Sequence, residues 1–327
     1  MRRREFIALV GCAAGAWPLA TRAQHPIMPV VGYLGFGSPK GFATRLTAFR
    51  QGLRETGYRE GENVALEYRW AEGENTRLPA LAADLVSHGV TVIATPGSAN
   101  AARAAKSATT TIPIVFETGA DPVATGLVTS LNRPSGNITG VVSLNVEVGQ
   151  KRLEVLRELL PTATIVAGLV NPINANAEMV TRDLKAAART LGLQIHILHA
   201  SSEHDLDAAF TALGQLRADA LVVNPDPFFF SQKERLVDLT LQRQVTTMFF
   251  SRDFVAAGGL MSYGGSVSES HRHTGIYTGR ILKGEKPGDL PVQQVTKFEF
   301  VINSKTAKAR GLSMPLAILA RADEVIE

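Results

Sequence analysis

The chain has 327 residues, of which 45% are hydrophobic and 20% charged, with a formal net charge of +4. That length can bury two cores, the composition fits an ordinary globular protein, and beyond the N-terminus no stretch is long and apolar enough to span a bilayer. Arg2, Arg3, Arg4 and Arg22 against Glu5 place +3 of the charge in residues 1–23 and leave only +1 for the rest, so the basic balance is poor support for a nucleic-acid partner.

The first residues, MRRREFIALVGCAAGAWPLATRAQ, set arginines before an apolar stretch from Phe6 to about Ala20, followed by small residues. This is the layout of an export signal over residues 1–23, with cleavage expected after Ala23. Arg3-Arg4-Glu5-Phe6-Ile7 resembles a twin-arginine core, and Leu9-Val10-Gly11-Cys12 a lipoprotein box with a short apolar segment before it. The general export route and lipidation at Cys12 stay open beside cleavage at Ala23. Cys12 is the only cysteine, so the exported chain is expected to carry no disulfide and no cysteine metal site.

From residue 30 onward β-branched runs alternate with helical periodicity. Strands are expected at VVGYLGF (30–36), NVALEYRW (63–70), VTVIATPGS (90–98), IPIVFETG (112–119) and NITGVVS (137–143). Between them fall helices from Phe42 to Gly57, over LPALAADLVSHG (78–89), a short one after residue 98, and one over DPVATGLVTSL (121–131). The same grammar then restarts, with strands at 164–172, 193–200, 218–225 and 246–251 and helices at 150–160, 178–191, 205–216 and 232–242. The tail adds a strand at GGLMSYGG (258–265), a helix over 269–282, a Pro/Gly-rich connection at 283–291, a strand at KFEFVIN (297–303) and a short helix ending at Gly311. Two successive runs of strand and helix predict an α/β protein of two similar lobes, each a parallel sheet with helices on both faces.

In open parallel sheets, ligands bind beyond the carboxyl ends of the strands, where loops open into helices. Six such loops collect hydroxyls, Gly, Asn and Asp: GFGSPKG (35–41), TPGSAN (95–100), ETGADPV (117–123), NPINANAE (171–178), NPDPFFF (224–230) and SRDF (251–254). Ser38, Ser98, Thr118, Asp121 and Asn171 are candidate ligand contacts there; Ser38, Ser98, Asp121 and Asn176 equally suit plain helix caps. Three successive phenylalanines at 228–230 are unusual in a loop. Phe228 or Phe229 could form an apolar wall for a ligand side chain, or the three could pack beneath the loop. GFGSPKG fits neither phosphate-loop pattern, no G-x-S-x-G elbow occurs, and His196 and His199 fall on opposite faces of a strand. His271 and His273 flank Arg272 near a helix start, a pattern suited to a solvated face. Asn137-Ile138-Thr139 matches a glycosylation sequon but lies on an expected buried strand. No catalytic residue, metal ligand or cofactor is therefore assigned.

GYREGENVALEYRWAEG, IPIVFETGADPVATGLVTSL, RPSGNITGV, PDPFFF, GGLMSYG and the tail LPVQQVTKFEFVINSKTAKARGLSMP…LARADEVIE together resemble the ABC transporter substrate-binding proteins of the ABC_sub_bind type, from Val30 to Glu327. The resemblance implies a type I periplasmic binding protein, in which two Rossmann-like lobes close around a ligand by a hinge motion. It implies crossings near Val142–Val146, Asp253–Gly258 and Asp289–Val292, with a first lobe of 29–142 plus 256–290 and a second of 143–255 plus 291–327. The family is similar to proteins that bind branched-chain or aromatic amino acids and deliver them to a membrane permease. By loop position Ser98 and Thr118 would take the ligand carboxylate, and Asp226 or Asp253 the ammonium. Arg252 could grip a carboxylate bidentately or pair at the hinge near Asp253. The function implied is a periplasmic, monomeric binding component that delivers a small ligand to an ABC permease. A periplasmic sensor docking a receptor or kinase is the alternative; an enzyme lacks a catalytic constellation, and a repressor would need a DNA-binding N-terminus where the export signal stands.

Overall fold

The computed structural model describes residues 28–327; the export signal expected over residues 1–23, with Cys12 inside it, lies outside the described residues. The first half of the chain runs β1 (Val30–Gly35), α1 (Ala43–Glu55), β2 (Ala65–Trp70), α2 (Leu78–Ser87), β3 (Val92–Thr95), α3 (Ala99–Ala108), β4 (Ile114–Thr118) and β5 (Ile138–Val142). The second runs α4 (Gly149–Leu159), β6 (Ile165–Val170), α5 (Ala177–Thr190), β7 (Gln194–His199), α6 (Glu203–Leu216), β8 (Ala220–Val223), α7 (Pro227–Ser231), α8 (Lys233–Gln242) and β9 (Thr246–Phe249). The tail adds α9 (Arg252–Ala256), β10 (Met261–Gly265), α10 (Val267–Leu282), β11 (Gln293–Gln294), β12 (Phe298–Asn303), α11 (Ser304–Ala309), α12 (Leu316–Leu319) and β13 (Glu324–Ile326).

These strands form two sheets, in the orders β11-β5-β4-β3-β1-β2 and β13-β12-β10-β9-β8-β6-β7. Every pairing is parallel except β10 with β12. β3, β4, β5, β8 and β9 are buried along their whole length, as strands covered by helices on both faces must be, and this is why they read as unbroken apolar runs. The expected α/β architecture of two parallel-sheet lobes is what the chain adopts.

Sheet pairing corrects the lobe boundaries. Residues 256–265 were expected in the first lobe, yet β10 pairs with β9 and β12 in the second sheet. Conversely β11, expected in the second lobe, pairs with β5 in the first. α9 is only five residues long, so the β9–α9–β10 crossover is hard to recognise as a repeat of the earlier units. The chain passes between sheets three times, between Val142 and Gly149, between Gly265 and Val267, and between Gln294 and Phe298. The crossings are tied together: Val295 N–H donates to Val142 O at 2.8 Å, Ser266 N–H to Lys297 O at 2.9 Å, and Gly265 N–H to Asn145 Oδ1 at 2.9 Å. After the second crossing α10 returns to the first lobe and packs on α1. Glycines make that approach possible, because a Cβ at Gly52 would collide with Arg272 O and one at Gly275 with Phe49 O.

Two local expectations changed. Residues 121–131 form turns and no helix: Asp121 Oδ1 accepts from Val123 N–H at 2.8 Å, and Gly126 turns the chain with a φ of +72°. NPDPFFF, expected as a loop, contains α7. Asp226 caps it, and Pro227 supplies a preset first position whose missing N–H costs nothing there.

Candidate ligand-binding cleft

The cleft lies where the strand ends of the two sheets face each other. On the first-lobe side β3 turns through Pro96 and Gly97 into α3. Gly97 has a φ of +84°, a left-handed conformation that favours glycine, and a Cβ there would also crowd Arg45 and His271. Ser98 caps α3, its Oγ accepting from Ala101 N–H at 3.2 Å, so its own O–H stays free to donate. β4 delivers Glu117 and Thr118, both buried; Thr118 Oγ1 accepts from Ala120 N–H at 3.3 Å.

The second-lobe side is organised around Asp226. Its Oδ1 accepts from Phe228 N–H at 2.8 Å, Phe229 N–H at 3.2 Å and Asn171 Nδ2 at 3.1 Å. Asn174 Nδ2 donates to Oδ2 at 2.5 Å. Burial pushes the carboxyl up from its ordinary value, and the donors from Asn174, Asn171, Phe229 and Phe228 oppose that. Four donors surround the group, so the site is built for the ionised form, and Oδ2 keeps lone-pair capacity toward the cleft.

Between the walls lies a small cavity of about 60 Å³, bounded by Arg45, Gly97, Glu117, Thr118 and Gly119 on one side and Asn174, Asn176, Pro225, Asp226, Pro227 and Phe250 on the other. The first crossing closes its floor with Ser143, Asn145 and Val146. Ser98 and Asn171 line a smaller extension that shares Asp226 and Asn174.

Arg45 projects from the first turn of α1 and is 5% exposed. Its guanidinium carbon sits 3.2 Å from the ring centroid of Phe230 in the opposite lobe, and Phe42 meets the same ring edge-on at 5.1 Å. Burial lowers the Arg45 pKa, and the charges of Asp253 and Glu117 work against this. Burial pushes Glu117 up, opposed first by Arg45 and then by hydrogen bonds from Ser143 and Ser270. His271 is fully buried, contrary to the solvated face expected for it, because α10 packs inward across α1. Burial holds its pKa down at about 3, and its neutral ring donates from Nδ1 to Val267 O at 2.9 Å.

The structure thus brings Ser98, Thr118, Asn171 and Asp226 together around the cleft. The other sequence candidates lie outside its walls, each for a local reason. Ser38 Oγ accepts from Gly41 N–H at 3.2 Å within its own turn, and Asp121 caps the turn described above. Arg252 pairs bidentately with Glu324 at 2.6 and 2.5 Å on the surface. Asp253 accepts from Ser251 Oγ at 2.7 Å at the start of α9. Phe228 and Phe229 enter the apolar core, because α7 begins at Pro227 and turns them beneath it. The phenylalanine of that run which meets the other lobe is Phe230, and the phenylalanine lining the cavity is Phe250. Sequence reasoning missed Arg45 and Glu117. A single acid inside the apolar run IPIVFET was the available signal for the second; an arginine in ATRLTAFRQGLRE carries none.

Among the described residues, no group of three or more His, Cys, Asp or Glu is placed to hold a metal ion, and no helix is long and apolar enough to cross a membrane.

Two parallel-sheet lobes joined by three crossings, with a polar cavity between them, are the architecture of a type I periplasmic binding protein. Residues 38–326 match the family described as ABC transporter substrate binding protein, and the chain belongs to that family. Over 266 residues it is 26% identical to the tyrosine-binding protein of Clostridioides difficile (strain R20291), covering 80% of this chain and 74% of that protein. It is similar to an ABC domain in complex with L-Trp from Streptococcus pneumonia, with a TM-score of 0.83 at 26% identity over 91% of this chain and 99% of that one. A conserved domain protein from Vibrio cholerae o1 biovar eltor gives a TM-score of 0.83 at 28% identity, with 91% and 99% of the two chains covered.

Proposed function

We propose that this protein is the extracytoplasmic solute-binding component of an ABC importer, and that it carries an amino acid or similar small carboxylate to a membrane permease. The observation that supports this most directly is Asp226, a buried carboxylate held by four donors with capacity left toward the cavity, as an ammonium group would need. Thr118 and Ser98 offer free hydroxyl protons on the opposite wall for the acidic end of the same molecule. Relatives that bind tyrosine and tryptophan favour an aromatic side chain, for which Phe250, Val146 and Pro227 form the apolar part of the cavity. Binding without turnover is part of this reading, since the family is one of substrate-binding proteins.

The test is a thermal-shift panel of L-tyrosine, L-tryptophan, branched-chain amino acids, small carboxylates and sugars. A ligand at 100 times its dissociation constant adds about 2.7 kcal/mol of stability. Asp226→Ala should abolish the response to amino acids, with about 1 kcal/mol lost from the apo protein as α7 loses its cap. A sugar that shifts the melting temperature while every amino acid fails would overturn the reading.

A further inference from the structure

We infer that Arg45 is the carboxylate-gripping residue of the cleft and makes an anionic group obligatory in the ligand. This rests on the reading of the cleft as a ligand site and names the part of the ligand that the first lobe selects.

Among the described residues Arg45 is a cation without an ion-pair partner. Its Nε is sealed from water and has no hydrogen-bond acceptor. Two carboxylates act on its charge, Asp253 from α9 and Glu117 from β4, but neither is within ion-pair distance, and Asp253 is held by Ser251. Neither forms an ion pair with Arg45, although 17 ion pairs occur elsewhere among the described residues. A buried cation balanced only at a distance, with no hydrogen-bonded anion, is a costly feature for a protein to hold. Part of that cost depends on the lobes being together, because one face of the guanidinium is covered by Phe230 of the second lobe.

Geometry says what would compensate it. With one face stacked on a ring, a guanidinium presents its N–H groups in its own plane, as a fork that matches a carboxylate. Arg45 borders the cavity whose opposite wall carries Asp226. A ligand with an ammonium group toward Asp226 and a carboxylate toward Arg45 would neutralise both buried charges at once. An uncharged ligand would leave the cation stranded, so closure around it would be disfavoured. Arg45 thereby couples the charge of the ligand to closure of the lobes.

The experiment titrates the purified protein with L-tyrosine, L-tyrosine amide and tyramine, which share a ring and an amino group and differ in the carboxylate. The wild type should bind L-tyrosine roughly 100-fold more tightly than the other two, since truncating one partner of a desolvated charge pair typically costs this much or more. In Arg45→Met the preference should collapse to within a few-fold. In Arg45→Lys it should be reduced but present, because the charge stays and the fork is lost. Both variants should melt close to the wild type in the absence of ligand, which separates a lost contact from a lost fold. If L-tyrosine binds and Arg45→Met keeps its preference for the carboxylate, the inference is overturned while the cleft reading stands. If L-tyrosine does not bind but another carboxylate in the wider panel does, and Arg45→Met erases that response, the amino-acid reading falls and Arg45 stands. A wild-type chain that no carboxylate stabilises, or whose ligand proves uncharged, overturns the role of Arg45 as well.

Discussion

Two arginines are buried to the same degree and could hardly be more different in what surrounds them. Arg152, on α4 beside the crossings, is fully buried and tied down by three hydrogen bonds, with only Nη1 left unpartnered: Nε donates to Tyr263 O at 2.7 Å, and Nη2 to Asn145 O at 2.7 Å and Asn145 Oδ1 at 3.2 Å. Asn145 in turn holds Gly265, so this one side chain joins the first crossing to the second. Arg45, at the opposite side of the cleft, reaches a ring and no acceptor. Burial depresses both, Arg152 to about 9. A buried cation whose donors meet carbonyls stabilises the structure it sits in; one that meets a ring and leaves Nε without an acceptor is poised for something that arrives later. Burial alone does not separate the two roles; hydrogen-bond satisfaction does.

The largest test of that contrast is Arg152→Met. Three acceptors at the crossings lose a donor, of which Asn145 Oδ1 keeps the Gly265 N–H, and each buried group left unsatisfied costs about 1–3 kcal/mol. Urea unfolding should show a loss of about 3–5 kcal/mol for Arg152→Met, against less than about 1 kcal/mol for Arg45→Met. Equal losses would erase the distinction.

Phe230→Leu is the next test. The substitution keeps an apolar group under the loop but removes the surface on which Arg45 stacks, together with the contacts to Phe42 and Phe254. A desolvated cation–π contact is worth about 2 kcal/mol. Because this one spans the lobes, its loss should appear mainly as weaker ligand binding, by about 10- to 30-fold, measured by calorimetry. A change confined to global stability would place Phe230 in the core with Phe228 and Phe229.

How much of this was visible in the sequence depends on the range of the interaction. Strands such as IVFET and ALVV announced themselves, because strands covered on both faces must be apolar throughout. Asp226 was legible as a candidate through its place in a strand-to-helix loop and the resemblance to amino-acid binders, not as the cap of a helix. Its partners Asn171 and Asn174 lie 55 and 52 residues away, so the donor set was not legible. Sheet membership failed for the same reason: nothing local in LMSYGG says that β10 pairs with β12 across the α10 excursion. Arg45 is the extreme case. In the helix sequence it is one polar residue among several, and its burial comes from distant segments of its own lobe and from Phe230 of the other.

The smallest expected effect is the most discriminating, because it reads Arg45 through a neighbour. The folded pKa of Glu117 is raised by burial, and Arg45 is the strongest influence pulling it back. With the folded pKa above the unfolded value of about 4.3, the folded state holds the extra proton between the two. The Glu117 contribution to stability is then fully present below about pH 4.3 and is lost as pH rises through the folded pKa. Glu117→Gln removes that slope: its melting temperature should exceed the wild type's at neutral pH, and the advantage should vanish in acid. Arg45→Met should push the folded pKa of Glu117 higher still, so that its stability declines over a wider pH range than the wild type's. Arg152 is absent from the influences on Glu117, so Arg152→Met should lower the whole melting curve without changing its pH dependence. Parallel pH profiles for the two arginine variants would mean that Arg45 does not act on the buried acid, and that its charge is balanced elsewhere in the fold.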